Sequence, residues 1–222
     1  MRWRHATRTF CLAVVATLAG ACAMTTTYQS YDDPPADADD LLGRRIDYYA
    51  DRALYTAPPD CVVVLPAEKD ASARLASLVE PALARHLGGR FPRVIGPMER
   101  RRIARRLAVD LRDHGDRQHF ARQTGCGAFV RWKVLDSADD YLLVWSRRRI
   151  GFEVAMFRGS DEKVLWKARH TGRRSDGTLP LSPLSLPFAA FEAGRFRSDD
   201  DILPSMIEDV ARRIVVTLPD VR

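Results

Sequence analysis

The sequence has few of the residues and none of the spacings that carry chemistry in common enzymes. Its 222 residues include five histidines and four cysteines. These form no CxxC pair, no HxxxH or HExxH spacing and no mixed cysteine–histidine metal pattern. A phosphate-binding loop and a GxSxG nucleophile elbow are also absent. We therefore expect a protein that is not an enzyme and that uses no metal and no cofactor.

The apolar run near the N-terminus, residues 10–18, is too short to span a bilayer as a helix. It follows three arginines, Arg2, Arg4 and Arg8, and this arrangement is typical of a secretory signal peptide. We predict that residues 1–21 are a signal peptide that is removed on export.

The signal peptide ends at Leu18-Ala19-Gly20-Ala21-Cys22, which resembles the lipobox of bacterial lipoproteins. In that motif the cysteine thiol is acylated and the chain is cut just before it. The usual leucine three residues ahead of the cysteine is Ala19 here. We predict lipidation of Cys22; the alternative is ordinary cleavage after Ala23, which would release a soluble periplasmic protein.

The residue after the proposed lipid site indicates which membrane, inner or outer, would hold the protein. Ala23 stands where lipoproteins retained in the inner membrane commonly carry aspartate. A mature lipoprotein resembling this pattern carries three acyl chains, palmitate among them, and at about 0.8 kcal/mol per buried methylene they anchor it essentially permanently. The expected location is therefore the periplasmic face of the outer membrane.

The charge balance excludes a strongly basic binding protein. The precursor has 35 basic and 29 acidic residues, a net charge of +6. Three of the basic residues and none of the acidic ones lie in residues 1–21, so the exported chain carries only +3. Such a charge does not indicate nucleic-acid binding, and we expect no nucleic-acid partner.

Two cysteines remain once Cys11 is removed with the signal peptide and Cys22 is assigned to the lipid. Cys61 and Cys126 each precede a short apolar run that predicts a buried strand. In an oxidising periplasm they are candidates for a disulfide that closes a loop of about 65 residues, worth roughly 3–4 kcal/mol. The alternative is that both are separate small core residues.

The chain divides by composition into four parts. After the signal peptide, residues 22–40 are polar, acidic and proline-bearing, which predicts a flexible tether. Residues 41–59 have weak apolar periodicity and are expected to form a short helix or a strap on the domain. Residues 60–222 are expected to form a single periplasmic domain, since about 160 residues suffice for one core.

The pattern of that domain predicts an α/β or α+β sandwich. Apolar runs and helical periodicities alternate in the order βαβα(α)βββα, with a mixed sheet of about five strands and helices packed on it. Residues 136–140 and 159–162 are expected to be the hairpin turns between the last three strands. The final helix is expected over residues 201–217.

Several segments of the domain resemble the curli-secretion lipoprotein CsgG and its relatives, the GNA-type periplasmic lipoproteins, and more loosely the N-terminal domain of TolB. The segments are Val62-Val63-Val64-Leu65-Pro66, Leu83-Ala84-Arg85-His86-Leu87, Glu99-Arg100-Arg101-Arg102-Ile103, Gly125-Cys126-Gly127-Ala128-Phe129-Val130, Val164-Leu165-Trp166-Lys167-Ala168 and Arg173-Arg174-Ser175-Asp176-Gly177. The resemblance covers about residues 60–217 and implies an anticodon-binding-like sandwich, an outer-membrane lipid anchor and work in envelope assembly or export. Residues 147–149 are three consecutive arginines, which a membrane-inserted channel strand would not carry, so an accessory role is expected.

Two surfaces are candidates for partner binding. A basic face is predicted on the last three strands, where it could hold anionic headgroups, glycans or an acidic partner; its residues are Arg131, Arg147, Arg148, Arg149, Arg169 and Arg173. The alternative is a solvated sheet face with scattered ion pairs. A partner loop is predicted in the proline-rich segment after the last strand, through Leu184, Leu186, Phe188, Phe191 and Phe196, with a strap over the core as its alternative.

These observations predict a non-catalytic lipoprotein of the outer membrane. Its expected role is docking or accessory work in envelope assembly, secretion or cell-wall synthesis, through contact with envelope proteins or with itself. The alternative is a periplasmic ligand-binding or hydrolytic domain, which would require a concave pocket with convergent polar groups.

Overall fold

The computed structural model describes residues 26–32, 45–68, 71–142, 145–176 and 201–220, and for residues 136–142, 145–147 and 175–176 it describes the backbone alone. These ranges contain seven strands and five helices. In chain order they are β1 (Thr27–Ser30), β2 (Arg45–Ala50), α1 (Arg52–Thr56), β3 (Cys61–Val64), α2 (Ala73–Leu87), β4 (Arg93–Ile95), α3 (Pro97–Leu107), α4 (His114–Thr124), β5 (Ala128–Leu142), β6 (Trp145–Arg158), β7 (Val164–Asp176) and α5 (Ile202–Val216).

The strands form one mixed sheet in the order β1-β2-β7-β6-β5-β3-β4. The β5, β3 and β4 strands are parallel, whereas β5, β6, β7 and β2 are antiparallel, and β1 runs parallel to β2. The fold is α+β, as the sequence predicts. From β3 to α5 the order of elements is the predicted one, and the sheet has seven strands where about five are expected because the N-terminal segment adds two.

The N-terminal segment differs from the sequence-based expectation. Thr27–Ser30, within the predicted tether, forms β1, and Arg45–Ala50, within the predicted strap, forms β2. The physical reason is alternation: Ile46 and Tyr48 face the core while Asp47 faces the other side. Six such residues are enough to pair with the open edge of β7.

Helices cover the sheet unevenly. On one face α2 and α5 pack over the strands and bury the larger core cluster, which includes Trp132, Phe152 and Trp166. On the other face a smaller cluster includes Ile103 of α3 and Phe120 of α4, together with side chains of β3 and β5. Among the described residues, helices therefore cover both faces of the sheet in its parallel part alone.

The predicted turn at residues 136–140 is wrong. These residues lie within β5, which pairs with β6 as far as Leu142 opposite Trp145. The register places Asp139 opposite Arg148 and Asp140 opposite Arg147, and oppositely charged residues in facing positions favour antiparallel pairing. A polar run thus continues the strand because its partner strand is basic. The other predicted turn, residues 159–162, does separate β6 from β7.

Cys61 and Cys126 form the predicted disulfide. The strands that they introduce, β3 and β5, are neighbours and parallel, with Val62 opposite Ala128. Their starting ends therefore meet at one edge of the sheet. Both cysteines are buried in the smaller core cluster beside Phe129, so the bridge closes its loop within packed core.

We predict that replacing both cysteines by serine destabilises the domain by about 4 kcal/mol, because the unfolded chain regains the entropy of a loop spanning 65 residues. Urea unfolding of the oxidised wild type, the reduced wild type and the double variant measures this. A reduced wild type as stable as the oxidised form would contradict the prediction.

Candidate functional site

One half of the sheet has a face that no described helix covers. Beyond the smaller core cluster, this face of β5, β6, β7 and β2 presents charged and aromatic side chains, which we call the polar sheet face: Arg45, Asp47, Tyr49, Arg131, Lys133, Glu153, Lys167 and Arg169. They follow from the two-residue alternation of strands whose other face builds the larger core. Polar residues thus occupy a face that none of the described helices covers.

The predicted basic face is only partly brought together. Strand alternation puts Arg131, Arg149, Arg169 and Arg173 on the polar sheet face, with Arg149 directly opposite Arg173. Arg148 has the opposite parity on β6 and belongs to the other face. The Arg147 side chain lies outside the described part of the structure. The six predicted arginines therefore do not form one patch.

Ion pairs neutralise much of the charge on this face. Asp47 accepts hydrogen bonds from Arg45 Nε at 2.6 Å and from Arg169 Nε at 2.8 Å. Lys133 Nζ lies 3.2 Å from Glu153 Oε1. The centre of the face thus resembles the alternative that the sequence left open, an ion-paired sheet surface, although its cations still outnumber its carboxylates.

Tyr31, just after β1, reaches across the polar sheet face. Its hydroxyl donates to Glu153 on β6, while Lys167 Nζ lies 3.6 Å and Arg169 Cζ 4.6 Å from its ring centroid. Burial and the Glu153 carboxylate raise the pKa of Tyr31 to about 12. This tyrosine fastens the N-terminal strand to the middle of the sheet. Sequence reasoning missed it because it lies in a segment with the composition of a tether.

A cleft of about 560 Å³ opens at the edge of the polar sheet face. The end of β3 supplies Leu65 to Glu68, the start of α4 supplies Arg117, and β5 and β6 supply Arg131 and Phe157. An adjoining cleft of about 750 Å³ shares Pro66 to Glu68 and extends between α2 and α3. Of the predicted basic-face arginines, only Arg131 lines either cleft.

A buried ion pair holds the segment 66–68, which lines both clefts. Arg100 on α3 donates to Glu80 Oε2 on α2 at 2.8 Å and to the Val64 carbonyl at 2.5 Å. Glu80 also accepts from the Ala67 amide at 3.0 Å. Both side chains are only about 5% exposed, and burial lowers the pKa of Arg100. The pair therefore ties two helices to the end of β3.

The other predicted sites lie outside the described residues. These are the lipidation site Cys22 and the partner-loop residues Leu184, Leu186, Phe188, Phe191 and Phe196. They remain predictions.

The described residues contain no helix that is both long and apolar enough to cross a membrane. Within the same residues, no three histidine, cysteine, aspartate or glutamate side chains are grouped as a metal site would need. His86 contacts Glu208 at 3.0 Å, His114 contacts Glu162 at 2.9 Å, and His170 contacts the Arg45 carbonyl at 2.7 Å. These three histidines thus link elements of the fold.

No protein-family model matches the chain, and no curated protein does. Solved structures similar to it share little sequence. The PelC dodecamer from Paraburkholderia phytofirmans is 16% identical with a TM-score of 0.42, over 75% of this chain and 94% of that one. The lipoprotein GNA1162 from Neisseria meningitidis is 13% identical with a TM-score of 0.40, over 64% and 100%. A minor lipoprotein from Acinetobacter baumannii is 11% identical with a TM-score of 0.38, over 72% and 90%.

Likeness of this degree carries no conclusion about what this chain binds. The narrower resemblance to curli-secretion lipoproteins and to anticodon-binding domains stays a prediction.

We predict that Glu80→Ala and Arg100→Ala each destabilise the domain by about 3–5 kcal/mol, because each leaves the other charge buried and unpaired. The double variant should cost far less than the two single losses together. Urea unfolding of the four proteins measures the coupling, and Arg102→Ala, an exposed arginine on the same helix, is the control. Additive losses would contradict a specific pair.

We predict that Tyr31→Phe costs about 1 kcal/mol at neutral pH, because the hydrogen bond to Glu153 is lost. The raised pKa makes this contribution complete below about pH 10, the unfolded value, and lost as the pH rises toward about 12. Absorbance of ionised tyrosine at about pH 11 should be nearly the same in wild type and variant. A wild-type excess of one ionised tyrosine, with the fold retained by circular dichroism, would contradict the contact.

Proposed function

We propose that this chain is a non-catalytic lipoprotein, anchored through Cys22 in the outer membrane, that docks another envelope protein during envelope assembly, secretion or cell-wall synthesis. The observation that carries the proposal is the signal sequence ending at Leu18-Ala19-Gly20-Ala21-Cys22. The Cys61–Cys126 disulfide supports it independently, since such bridges persist in oxidising compartments.

The position of β1 determines how the anchor would hold the domain. Thr26 is fixed to α5, where its hydroxyl accepts from Arg213 Nη1 at 3.1 Å. Only four residue steps separate Cys22 from Thr26, and an extended chain covers at most about 14 Å in four steps. The domain therefore stands close to the bilayer instead of on a long tether.

The same constraint orients the sheet. β1 runs parallel to β2 and thus starts at the end of the sheet where β5 ends and β6 begins. That end of the β5–β6 hairpin faces the membrane when Cys22 is lipidated. The polar sheet face then stands beside the membrane and is accessible to a protein that approaches along it.

Charge indicates the kind of partner. The polar sheet face has the cations Arg45, Arg131, Lys133, Lys167 and Arg169 against the carboxylates Asp47 and Glu153. A surface with this excess complements an acidic surface of another envelope protein. The proposed docking partner is therefore an acidic protein surface.

Crosslinking in intact cells, followed by identification of captured proteins through a C-terminal tag, tests the proposal. We predict that Cys22→Ser moves the chain out of the membrane fraction and abolishes capture of export or cell-wall proteins. Lys133→Glu should weaken capture while the chain stays anchored, because it reverses an exposed charge of the polar sheet face.

Arg52→Glu is the matched control, since this exposed charge lies on α1, away from the polar sheet face. Capture that is unchanged by Lys133→Glu would rule out the polar sheet face as the docking surface. Membrane retention of Cys22→Ser would rule out the lipid anchor. Capture of the chain's own copies alone would replace the partner by self-association.

A further inference from the structure

The ligand-binding alternative required a concave pocket with convergent polar groups, and the 560 Å³ cleft is such a pocket. Its position in the sheet is the first argument. From β3 the chain passes through α2 to β4 on one side, and from β4 through α3 and α4 to β5 on the other side of β3. In sheets with parallel strands, ligands bind outside the carboxyl ends of the strands at the point where the strand order reverses in this way. The cleft lies at that end of β3.

The second argument is the convergence of guanidinium groups. Arg117 Cζ lies 5.7 Å and Arg131 Cζ 5.2 Å from the centroid of the Phe157 ring, which forms one wall of the cleft. Arg112 lines the same cleft. Three arginines that approach one cavity create a positive potential, and a guanidinium whose N–H groups are not already bonded can hold an oxyanion with two parallel hydrogen bonds.

Arg117 is held in place before any ligand binds. Its Nη1 donates to the carbonyls of Leu111 at 3.2 Å and Arg112 at 2.9 Å, and its Nη2 donates to Glu162. The residue is 9% exposed, and its buried Nε has no acceptor among the described residues. A buried donor without an acceptor is costly and marks a place where a ligand atom or water would bind.

Arg112 and Arg131 differ from Arg117, which pairs with Glu162. Neither of their guanidinium groups has a carboxylate partner within the described residues. This distinguishes them from Arg169 and Arg45, which both pair with Asp47. Glu68 is the acidic residue in the lining. The charges of Arg112 and Arg131 are thus available to a ligand in the cleft, whereas Arg45 and Arg169 on the polar sheet face are already paired.

The other walls are apolar and come from Leu65, Leu111 and Phe157. Phe157 stacks on Phe129 with 5.9 Å between centroids, which fixes its ring. A ligand that fits must therefore combine an oxyanion with a flat or apolar part.

We propose that this cleft binds a small molecule that carries a phosphate or carboxylate group on an apolar ring. The oxyanion lies between Arg112, Arg117 and Arg131, and the ring packs against Phe157. The site shares Arg131 with the polar sheet face, but it does not depend on the lipid anchor or on a docking partner.

Titration of the purified full chain with phenyl phosphate and with benzoate, followed by NMR or calorimetry, tests the proposal; phenol is the neutral control. We expect at least one anion to bind at millimolar concentration and phenol to bind much more weakly. Phenyl phosphate alone would identify a phosphate site, benzoate alone a carboxylate site, and equal binding a general oxyanion site.

Arg131→Gln and Arg112→Gln should each weaken binding about tenfold or more, since each removes a charge-assisted hydrogen bond. Neither side chain supports the fold through an ion pair, so both variants should keep the wild-type melting temperature. Arg52→Gln, on α1 away from the cleft, should bind as the wild type does. No binding of either anion would overturn the proposal, and so would binding that is equal in all three variants.

Discussion

The buried pair of Glu80 and Arg100 is the interaction on which the arrangement of this domain depends most. It joins α2, which packs on one face of the sheet, to α3, which packs on the other, and both side chains bond to the backbone at the end of β3. Charges removed from water are costly unless they are paired and fully hydrogen-bonded. Here the second carboxylate oxygen and the second guanidinium nitrogen satisfy the Ala67 amide and the Val64 carbonyl. The end of β3 is therefore fixed, and with it the cleft that opens there.

The sequence predicted the parts of the fold that depend on local pattern. The run Val62 to Val64 indicates a buried strand, and the order from β3 to α5 follows from the alternation of such runs with helical periodicity. The sequence-based prediction failed where the pairing between strands determines the structure. Residues 136–140 have the composition of a turn, yet they continue β5 because β6 places basic residues opposite them. The pattern of a single sequence does not tell which residues of a neighbouring strand lie opposite a polar run and stabilise it as a strand.

The candidate site was predictable only in part for a related reason. The arginines of the last strands are visible in the sequence, but their faces follow from strand parity, which puts Arg148 on the opposite side from Arg149. Arg117, Arg131 and Phe157 meet only because the order of β5, β3 and β4 brings distant segments together. Arg117 belongs to a helix with weak amphipathic character, so no periodicity signalled its burial.

The two basic regions of the domain suit different tasks because their arginines are paired with carboxylates to different extents. On the polar sheet face, Asp47 already pairs with both Arg45 and Arg169, so a partner gains mainly from long-range complementarity and from the exposed Lys133. In the cleft, one arginine is oriented by backbone carbonyls and two others lack carboxylates among the described residues. An incoming oxyanion there meets Arg112 and Arg131, which no described acid holds, whereas Glu162 already pairs with Arg117. Broad contact therefore fits the face, and selective binding of a small anion fits the cleft.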